Sequence, residues 1–378
     1  MIDLILTEEQ KMFRETLRKF GETKVKPVIQ ELEAKGDFPY PIIKQLGQMG
    51  VLGVTIPPEY GGTGGGTVDL VIVMEEGGRT GIPVPLTHLG SCRDISHYGN
   101  EEQKRKYLPS LASGEVICAF AQTEPGAGSD AAAMKTSAVL DGDYYLLSGT
   151  KCFITNAAVA GLFVLVAKTS KEKGAAGISG FIVERNFPGL SIGKIENKMG
   201  LHLMPTCDVI LENCKVPKAN LFIGEGDAFK KLMDSFNAER CGNAALCLGM
   251  AQAAYERALV YAQQREAFGQ PIARFQGIQW IVADMAVMLN ASRLLLYQAA
   301  YRMDQGLRAV KEVAMAKLLA NEISQKIIND AMQIHGGYGY MRDYEVERLY
   351  RDTRGLAFGG GTPQILRNRI AYEIFKGR

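Results

Sequence analysis

The spacing of apolar residues changes twice along the chain and divides it into three blocks. Residues 1–114 are typical of helices, and they open with a Thr-x-x-Gln capping box at Thr7 and Gln10, preceded by Leu6 as a hydrophobic staple. Residues 223–378 return to a helical period, in which apolar residues stand three or four positions apart. The long helices predicted there contain few breakers and indicate a bundle.

One apolar run in the third block sets the period of its helix, and the residues after it set its end. The run consists of Ala316, Ala320, Ile323, Ile327, Ala331 and Ile334. Gly336 and Gly337 follow at once, and glycine at this place predicts that the helix stops there.

Residues 115–222 have a different period, with short β-branched and aromatic segments separated by Gly, Asn, Asp and Pro. The segments that predict strands are Val116–Thr123, Tyr144–Leu147, Leu162–Thr169, Ile178–Glu184 and Val209–Glu212. Asp141-Gly142-Asp143 predicts a hairpin turn. No pattern of helix length alternates with these strands, which argues against a parallel Rossmann sheet. The predicted fold is α+β but mainly α, with an N-terminal helical domain (1–114), a middle antiparallel β-barrel (115–222) and a C-terminal four-helix bundle (223–378).

Composition and charge narrow the classes of function. The 378 residues carry 43 Lys and Arg against 41 Asp and Glu, for a formal net charge of +2. A nucleic-acid binder usually shows a basic excess or stripe, so this balance argues against one. No uncharged apolar run is long enough to span a bilayer, and the N-terminus lacks the basic-then-apolar order of a signal peptide. We expect a cytoplasmic protein without nucleic-acid or membrane partners.

Cysteine and histidine usage argues against both a disulfide framework and a metal site. The seven cysteines are odd in number and form no CxxC pair, which favours a reducing compartment. The four histidines are scattered, without an HxxH or HExxH pattern. No metal is therefore expected.

The first segment that indicates chemistry joins a predicted strand to a glycine-rich loop. Residues 119–130 read Ala-Phe-Ala-Gln-Thr-Glu-Pro-Gly-Ala-Gly-Ser-Asp. Such a loop exposes backbone N–H groups and can approach a flat or anionic ligand closely. Further motifs follow in order along the chain, at residues 149–157, 265–272 with Phe275-Gln276, 333–340 with Arg351-Asp352, and 361–365.

This ordered set of motifs resembles the acyl-CoA dehydrogenase family over essentially the whole chain. The resemblance is specific because five separated motifs stand in the right order. It implies a helical domain, a β-barrel domain and a four-helix bundle, with a tightly bound FAD between the last two. It also implies an acyl-CoA substrate, a homotetramer, and electron-transfer flavoprotein as the electron acceptor.

The resemblance further implies roles for individual residues. Contacts to the flavin and its ribityl chain are expected from Phe120, Gln122, Thr123, Phe153, Thr155, Thr362 and Gln364. Ser129 matches a position near both FAD and the CoA phosphates. The FAD of a neighbouring subunit would be held by Arg265, Phe268, Gln276, Gln333, Gly336 and Gly337. A guanidinium pairs well with pyrophosphate, and glycine allows close backbone approach. Without the motifs, Phe153 and Phe268 would be interpreted as ordinary core aromatics.

One position departs from the family pattern. The family's reaction removes an α-proton with a carboxylate while a hydride goes to the flavin, and most members supply the base from a Tyr-Glu-Gly-Thr segment. Here residues 358–362 read Phe-Gly-Gly-Gly-Thr, so Gly360 stands where the glutamate is usual. The Gly360 N–H is retained, and with Gly361 it is expected to contact the thioester carbonyl of the substrate.

The first interpretation of this departure is a relocated base at Glu239. Isovaleryl- and long-chain acyl-CoA dehydrogenases carry their base in a Glu-Arg pair at the start of a bundle helix, and Glu239-Arg240 stands at the matching place. Asn237 and Arg240 match substrate-contacting positions. Burial beside an acyl chain would raise the pKa of this carboxylate, which suits a base. Alternatively, Glu239 is a first-turn carboxylate favoured by the helix dipole, or a partner for Arg240.

A second interpretation places the base at Asp94, because some relatives that oxidise cyclic acyl-CoAs use a pocket aspartate. Leu86, Gly90 and Asp94 share one helix face. The alternative is a surface aspartate next to Arg93.

A third interpretation omits α-proton abstraction and makes the chain a flavin monooxygenase or oxidase. In each dehydrogenase case, the glycines at 359 and 360 predict a branched, cyclic or otherwise bulky acyl group.

Overall fold

The computed structural model describes residues 5–376 apart from residues 171, 225 and 227. Its first part is helical, and the predicted capping box is confirmed: Thr7 Oγ1 accepts from the Gln10 amide, and the Gln10 side chain accepts from the Thr7 amide. The helices of this part are α1 (Glu8–Phe20), α2 (Ile29–Lys35), α3 (Tyr40–Gln48), α4 (Thr67–Thr80), α5 (Leu86–Tyr98) and α6 (Glu101–Ala112).

The middle part is one sheet. Its strands are β1 (Cys118–Ala121), β2 (Ser137–Asp141), β3 (Tyr144–Thr155), β4 (Leu162–Lys168), β5 (Ile178–Glu184), β6 (Leu190–Ile195), β7 (Thr206–Pro217) and β8 (Leu221–Ile223). Their order is β6-β7-β3-β2-β4-β5-β8, and β1 pairs with β4. The predicted hairpin is present, because β2 and β3 pair antiparallel on either side of Gly142.

The predicted antiparallel barrel is wrong in two respects. β1 runs parallel to β4, and β2 meets β4 in a parallel bridge, so the sheet is mixed. Within the described residues, β6 and β8 end the order without pairing to each other, so the sheet stays open. Strand spacing along the chain does not specify which strands pair, and here the β2–β3 hairpin separates β1 from its partner β4 in sequence.

The last part is helical again. It contains α7 (Ala228–Gln264), the short hairpin strands β9 (Glu266–Ala267) and β10 (Gln270–Pro271), then α8 (Gln276–Asp304), α9 (Val310–His335), α10 (Glu345–Leu356) and α11 (Pro363–Phe375). The helix predicted from the apolar run is confirmed as α9, which ends just before Gly336. Helix α7 is 37 residues long and spans about 55 Å at the α-helical rise.

Helices α4 and α7 pack closely against each other across the two helical parts. At Gly78 of α4 an added Cβ would lie 2.2 Å from the carbonyl oxygen of Leu246, and at Gly249 of α7 it would lie 2.0 Å from that of Glu75. Glycine is therefore needed at both helices for this close approach. The apolar side chains on both sides belong to the largest buried cluster of the molecule.

Helix α8 leaves a row of apolar side chains uncovered. Trp280, Val287, Leu294 and Tyr301 are all exposed and stand seven residues apart, so they lie near one line along the helix. We call this row the α8 stripe. Within the described residues, α8 is also the one helix long and apolar enough to cross a membrane by length and composition, a test that core helices pass too.

Candidate functional site

Two pairs of residues bring helix α5 against the first half of helix α7. The Ser235 hydroxyl of α7 donates a hydrogen bond to Asp94 Oδ1 of α5. One turn along, Gly90 of α5 faces the Glu239 carboxylate of α7, and an added Cβ at Gly90 would lie 3.3 Å from Glu239 Oε2. The helices are therefore antiparallel here. Because residues four apart on a helix are about 6 Å apart, the two candidate carboxylates lie in one site.

Glu239 has no direct ionic partner among the described residues. Among the residues that the structure describes, none donates a hydrogen bond to its carboxylate or forms an ion pair with it. Burial raises the pKa of Glu239 to about 7, and the charges of Arg240 and Lys317 oppose that rise. The residue is also partly exposed. A carboxylate in this state is suited to take up a proton near neutral pH.

Asp94 is buried, with only 4% of its surface exposed, so the expectation of a surface aspartate is wrong. Burial raises the pKa of Asp94 to about 7; the Ser235 hydrogen bond opposes this rise, and the nearby Glu239 charge adds to it. Like charges that lie close together disfavour double ionisation. The Glu239 charge therefore adds to the raised pKa of Asp94.

This burial predicts a pH-dependent gain in stability for Asp94→Asn. Between about pH 4 and pH 7 the folded chain keeps a proton on Asp94 that the unfolded chain releases, so wild-type stability falls as the pH rises through this window. The asparagine has no such cost. We expect the stability of Asp94→Asn relative to wild type to increase by about 2–3 kcal/mol between pH 5 and pH 8, measured by urea unfolding. Exposed Asp234 provides the control, and an equal effect of both substitutions at both pH values would contradict the prediction.

A glycine loop forms the opposite side of the same region. Arg240 donates from Nε to the Gly360 carbonyl, at 2.9 Å, and from Nη1 to Asn237 Oδ1, at 3.0 Å. The expectation that Arg240 pairs with Glu239 is therefore not met. Gly360 has a φ of +68°, so a side chain at this position would strain the backbone even though the space allows one. An added Cβ at Gly359 would meet nothing within 4 Å, which leaves room beside the loop.

The glycine-rich loop after β1 is built on a buried ion pair that the sequence analysis did not identify. Lys151 Nζ contacts Glu124 Oε1 at 2.8 Å and the Gln122 carbonyl at 3.1 Å, and both charged side chains are buried. Glu124 also accepts from the amides of Lys135 and Thr136. The only sequence signal was the position of Glu124 and Lys151 inside two of the quoted motifs. Their pairing joins these motifs in space.

The ion pair brings the predicted flavin contacts of two strands together. The Cys152 amide donates to the Thr123 carbonyl at 2.8 Å, which aligns residues 122–123 with residues 153–155. Gln122, Thr123 and Thr155 are partly exposed. Phe120 contacts Phe236 of α7 edge to face, with ring centroids 5.1 Å apart. The end of β1 therefore lies beside the helical turn that precedes Glu239.

Phe153 is no core aromatic. Its side chain is 68% exposed, and its φ of +58° is unfavourable for a non-glycine residue. Exposed aromatic surface held at a backbone cost points to a ligand or partner that covers it. A flat, largely apolar ring system such as a flavin fits this surface. Ser129 and Gln364, which belong to two of the quoted motifs, are also exposed. The Thr362 hydroxyl caps α11 by accepting a hydrogen bond from the Ile365 amide.

The six residues expected to hold a neighbour's FAD gather at the other end of the bundle. Tyr261 of α7 stacks on His335 of α9 with ring centroids 4.4 Å apart, which brings Arg265 close to the end of α9. Phe268 is 96% exposed at a φ of +51°, in the turn between β9 and β10. The remaining members are also exposed: Gln276, Gln333, Gly336 and Gly337.

These six residues cannot reach the Glu239 region of the same chain. Phe236 and Gln264 stand 28 positions apart on the continuous helix α7, which is about 40 Å along its axis. Both aromatic residues that the motifs singled out, Phe153 and Phe268, are thus exposed and have positive φ, but at opposite ends of the helix. The structure therefore places the predicted flavin contacts of β1 and β3 together, and it places the six residues expected to hold a neighbour's FAD at the far end of α7.

The chain thus folds into a helical part, a sheet and a second helical part, and two carboxyl groups lie where α5 packs against α7, beside the end of β1. Family models for the acyl-CoA dehydrogenase N-terminal, middle and C-terminal domains match residues 7–115, 119–214 and 226–375. The chain therefore belongs to the acyl-CoA dehydrogenase family, which consists of FAD-dependent oxidoreductases.

Individual relatives match over nearly their whole length. The chain is 44% identical to the acryloyl-CoA reductase (NADH) of Anaerotignum propionicum, over 99% of this chain and 96% of that protein. It is 42% identical to the caffeyl-CoA reductase-Etf complex subunit CarC of Acetobacterium woodii, over 99% and 100%. The solved structure of butyryl-CoA dehydrogenase from Megasphaera elsdenii superposes with a TM-score of 0.94 at 35% identity, over 98% of this chain and 99% of that one.

Proposed function

We propose that this chain catalyses α,β-dehydrogenation of a bulky acyl-CoA thioester, with Glu239 as the base. The observation that carries the proposal is the Glu239 carboxylate, whose pKa of about 7 and partly exposed position suit proton transfer. Gly360 is the second observation, because its positive φ disfavours a side chain at the position where the family's Tyr-Glu-Gly-Thr segment carries its base. Of the two candidate bases, Glu239 is partly exposed, whereas Asp94 is buried.

In this mechanism the chain's own groups position the thioester and move one proton. FAD supplies the acceptor for the β-hydride. Phe153 and Thr155 would lie against the flavin, and Ser129 beside the phosphates. The Glu239 carboxylate takes the α-proton, and N–H groups of the glycine loop bind the thioester oxygen as charge develops on it. Because Glu239 must be deprotonated, the rate should rise with pH through about 7.

The acyl group is proposed to be branched, cyclic or otherwise bulky. Support comes from the open space at Gly359 and the absence of side chains at positions 359–361. We expect anaerobic bleaching of the bound FAD to be at least about tenfold faster with isovaleryl-CoA or cyclohexenecarbonyl-CoA than with butyryl-CoA. Stopped-flow absorbance measures the rates. Butyryl-CoA as the best substrate by a wide margin would contradict the proposal.

A second candidate function uses Asp94 as the base on a cyclic acyl-CoA. Its support is the burial of Asp94 and its position one turn from the Glu239 contact. Bleaching by cyclohexenecarbonyl-CoA that survives Glu239→Gln and disappears in Asp94→Asn would select it. A flavin that no thioester bleaches, but that reacts with oxygen after chemical reduction, would instead select a monooxygenase or oxidase.

We further propose a cytoplasmic homotetramer that exchanges electrons with electron-transfer flavoprotein. The CarC relative is named as a subunit of a reductase-Etf complex, which supports this partner. The exposed α8 stripe supports self-association, because monomeric proteins rarely leave such a row uncovered. Arg265 and Phe268 lie about 40 Å along α7 from the Glu239 region, so they could contact a flavin beside Glu239 only from another subunit.

A further inference from the structure

A buried lysine lies beneath the glycine loop, and sequence analysis did not identify it. Lys317 of α9 is 0% exposed, and lysine is almost never fully buried without a specific role or partner. Its ammonium donates to the Gly361 carbonyl at 3.0 Å and to Asn321 Oδ1 at 2.9 Å. Among the described residues it has no carboxylate within ion-pair distance. Burial lowers the pKa of Lys317 to about 8, so it is mainly charged at pH 7.

A chain of buried amides holds Lys317 in this place. Asn321 donates to Asn243 Oδ1 at 3.1 Å and to Cys247 Sγ at 2.9 Å. Asn243 in turn donates to the Leu356 carbonyl at 3.1 Å. The ammonium is thus connected to α7 and to the end of α10. Buried networks of this kind are rigid when their groups are satisfied, so the lysine has a defined position.

Two cations bind successive carbonyl groups of the glycine loop. Arg240 binds the Gly360 oxygen and Lys317 binds the Gly361 oxygen. In a trans peptide the N–H bond points opposite to the C=O bond, so the N–H group that follows each bound carbonyl points away from the cation. An added Cβ at Gly360 would lie 3.5 Å from Lys317 Cε, so the aliphatic part of the lysine side chain also packs against the turn.

We propose that Lys317 is a positioning residue of the dehydrogenation, which fixes the Gly360–Gly361 turn and favours the ionised form of Glu239 through its positive charge. The proposal rests on the function proposed above. The charged groups that face Glu239 are Arg240 on its own helix, Lys317 of α9 and Asp94 of α5. Lys317 itself faces Cys247, Arg240 and Glu239. Removal of its positive charge therefore disfavours the carboxylate of Glu239.

The test compares Lys317→Met, which removes charge and donors, with Lys317→Gln, which keeps a donor. Both should move the midpoint of the pH–rate curve for flavin reduction up by about one unit. At pH 6 both variants should reduce the flavin about tenfold more slowly than wild type. Above pH 8 this effect of charge on the rate should disappear, because Lys317 is then neutral in wild type as well. Lys326→Met, on the exposed face of the same helix, is the matched control.

A direct titration separates this proposal from the proposed function. Isotope-edited infrared difference spectra with ¹³C-labelled glutamate report the protonation of Glu239, assigned by its loss in Glu239→Gln. The expected result is the same upward shift in both Lys317 variants. If no thioester reduces the flavin, the proposed function fails while this titration still tests Lys317. An unchanged Glu239 titration, with a uniform loss of rate at every pH, would overturn the proposal. Lys317→Gln serves alone if Lys317→Met does not fold.

Discussion

Glu239→Gln should lose flavin reduction by acyl-CoA by about 10³-fold, while it retains bound FAD and the wild-type fold. The amide keeps the shape of the side chain but cannot accept the α-proton. No described residue donates a hydrogen bond to Glu239, so the substitution breaks no contact of that kind. Anaerobic stopped-flow bleaching with the best thioester measures the effect, and thioester binding should change much less.

The matched control is Glu256→Gln, on the same helix. Glu256 pairs with Arg79 of α4 at 2.6 Å, far from the glycine loop along α7. We expect it to bleach at a rate within about twofold of wild type. Full activity in Glu239→Gln would refute Glu239 as the base, whatever the behaviour of Asp94→Asn.

The double substitution Val287→Asp with Leu294→Asp should dissociate the proposed homotetramer and release FAD. Both side chains belong to the α8 stripe, and burying two carboxylates in an apolar contact is strongly unfavourable. Sedimentation velocity should show smaller species than in wild type, and FAD content should fall about tenfold or more at micromolar chain concentration. The FAD loss is expected because Arg265 and Phe268 would no longer reach a neighbour's site.

Two further variants separate assembly from cofactor binding. Leu307→Asp places the same charge on an exposed apolar residue outside the stripe and should leave both properties unchanged. Phe268→Ala should lower FAD content without changing the sedimentation coefficient. Dissociated chains that keep full FAD occupancy would show that each subunit binds its cofactor alone.

The sequence predicted the helices well because their signals are local. The capping box at Thr7 and the apolar run of α9 depend on contacts within a few residues, and both are confirmed. Strand segments were also recognised, and β5 has the predicted bounds Ile178–Glu184. Strand β6 was missed, because Gly193 and Lys194 interrupt its apolar pattern and its side chains are mostly exposed or half-buried.

Strand pairing, in contrast, is a non-local property. The parallel pairing of β1 with β4 joins segments more than 40 residues apart, and no local pattern encodes it. The predicted barrel failed for this reason. The same limit applied to Lys151 and Glu124, because each is an ordinary charged residue until the fold buries them against each other.

By itself the sequence determined the class of protein, its order of helical and β segments, and the absence of a carboxylate at position 360. These properties are carried by residue identity and short-range spacing. Only the tertiary structure decided that Asp94 is buried, that Glu239 faces Gly90 rather than Arg240, and that Lys317 lies under the glycine loop. The physical reason is that pKa values and ion pairs depend on burial and on distances between helices far apart in sequence.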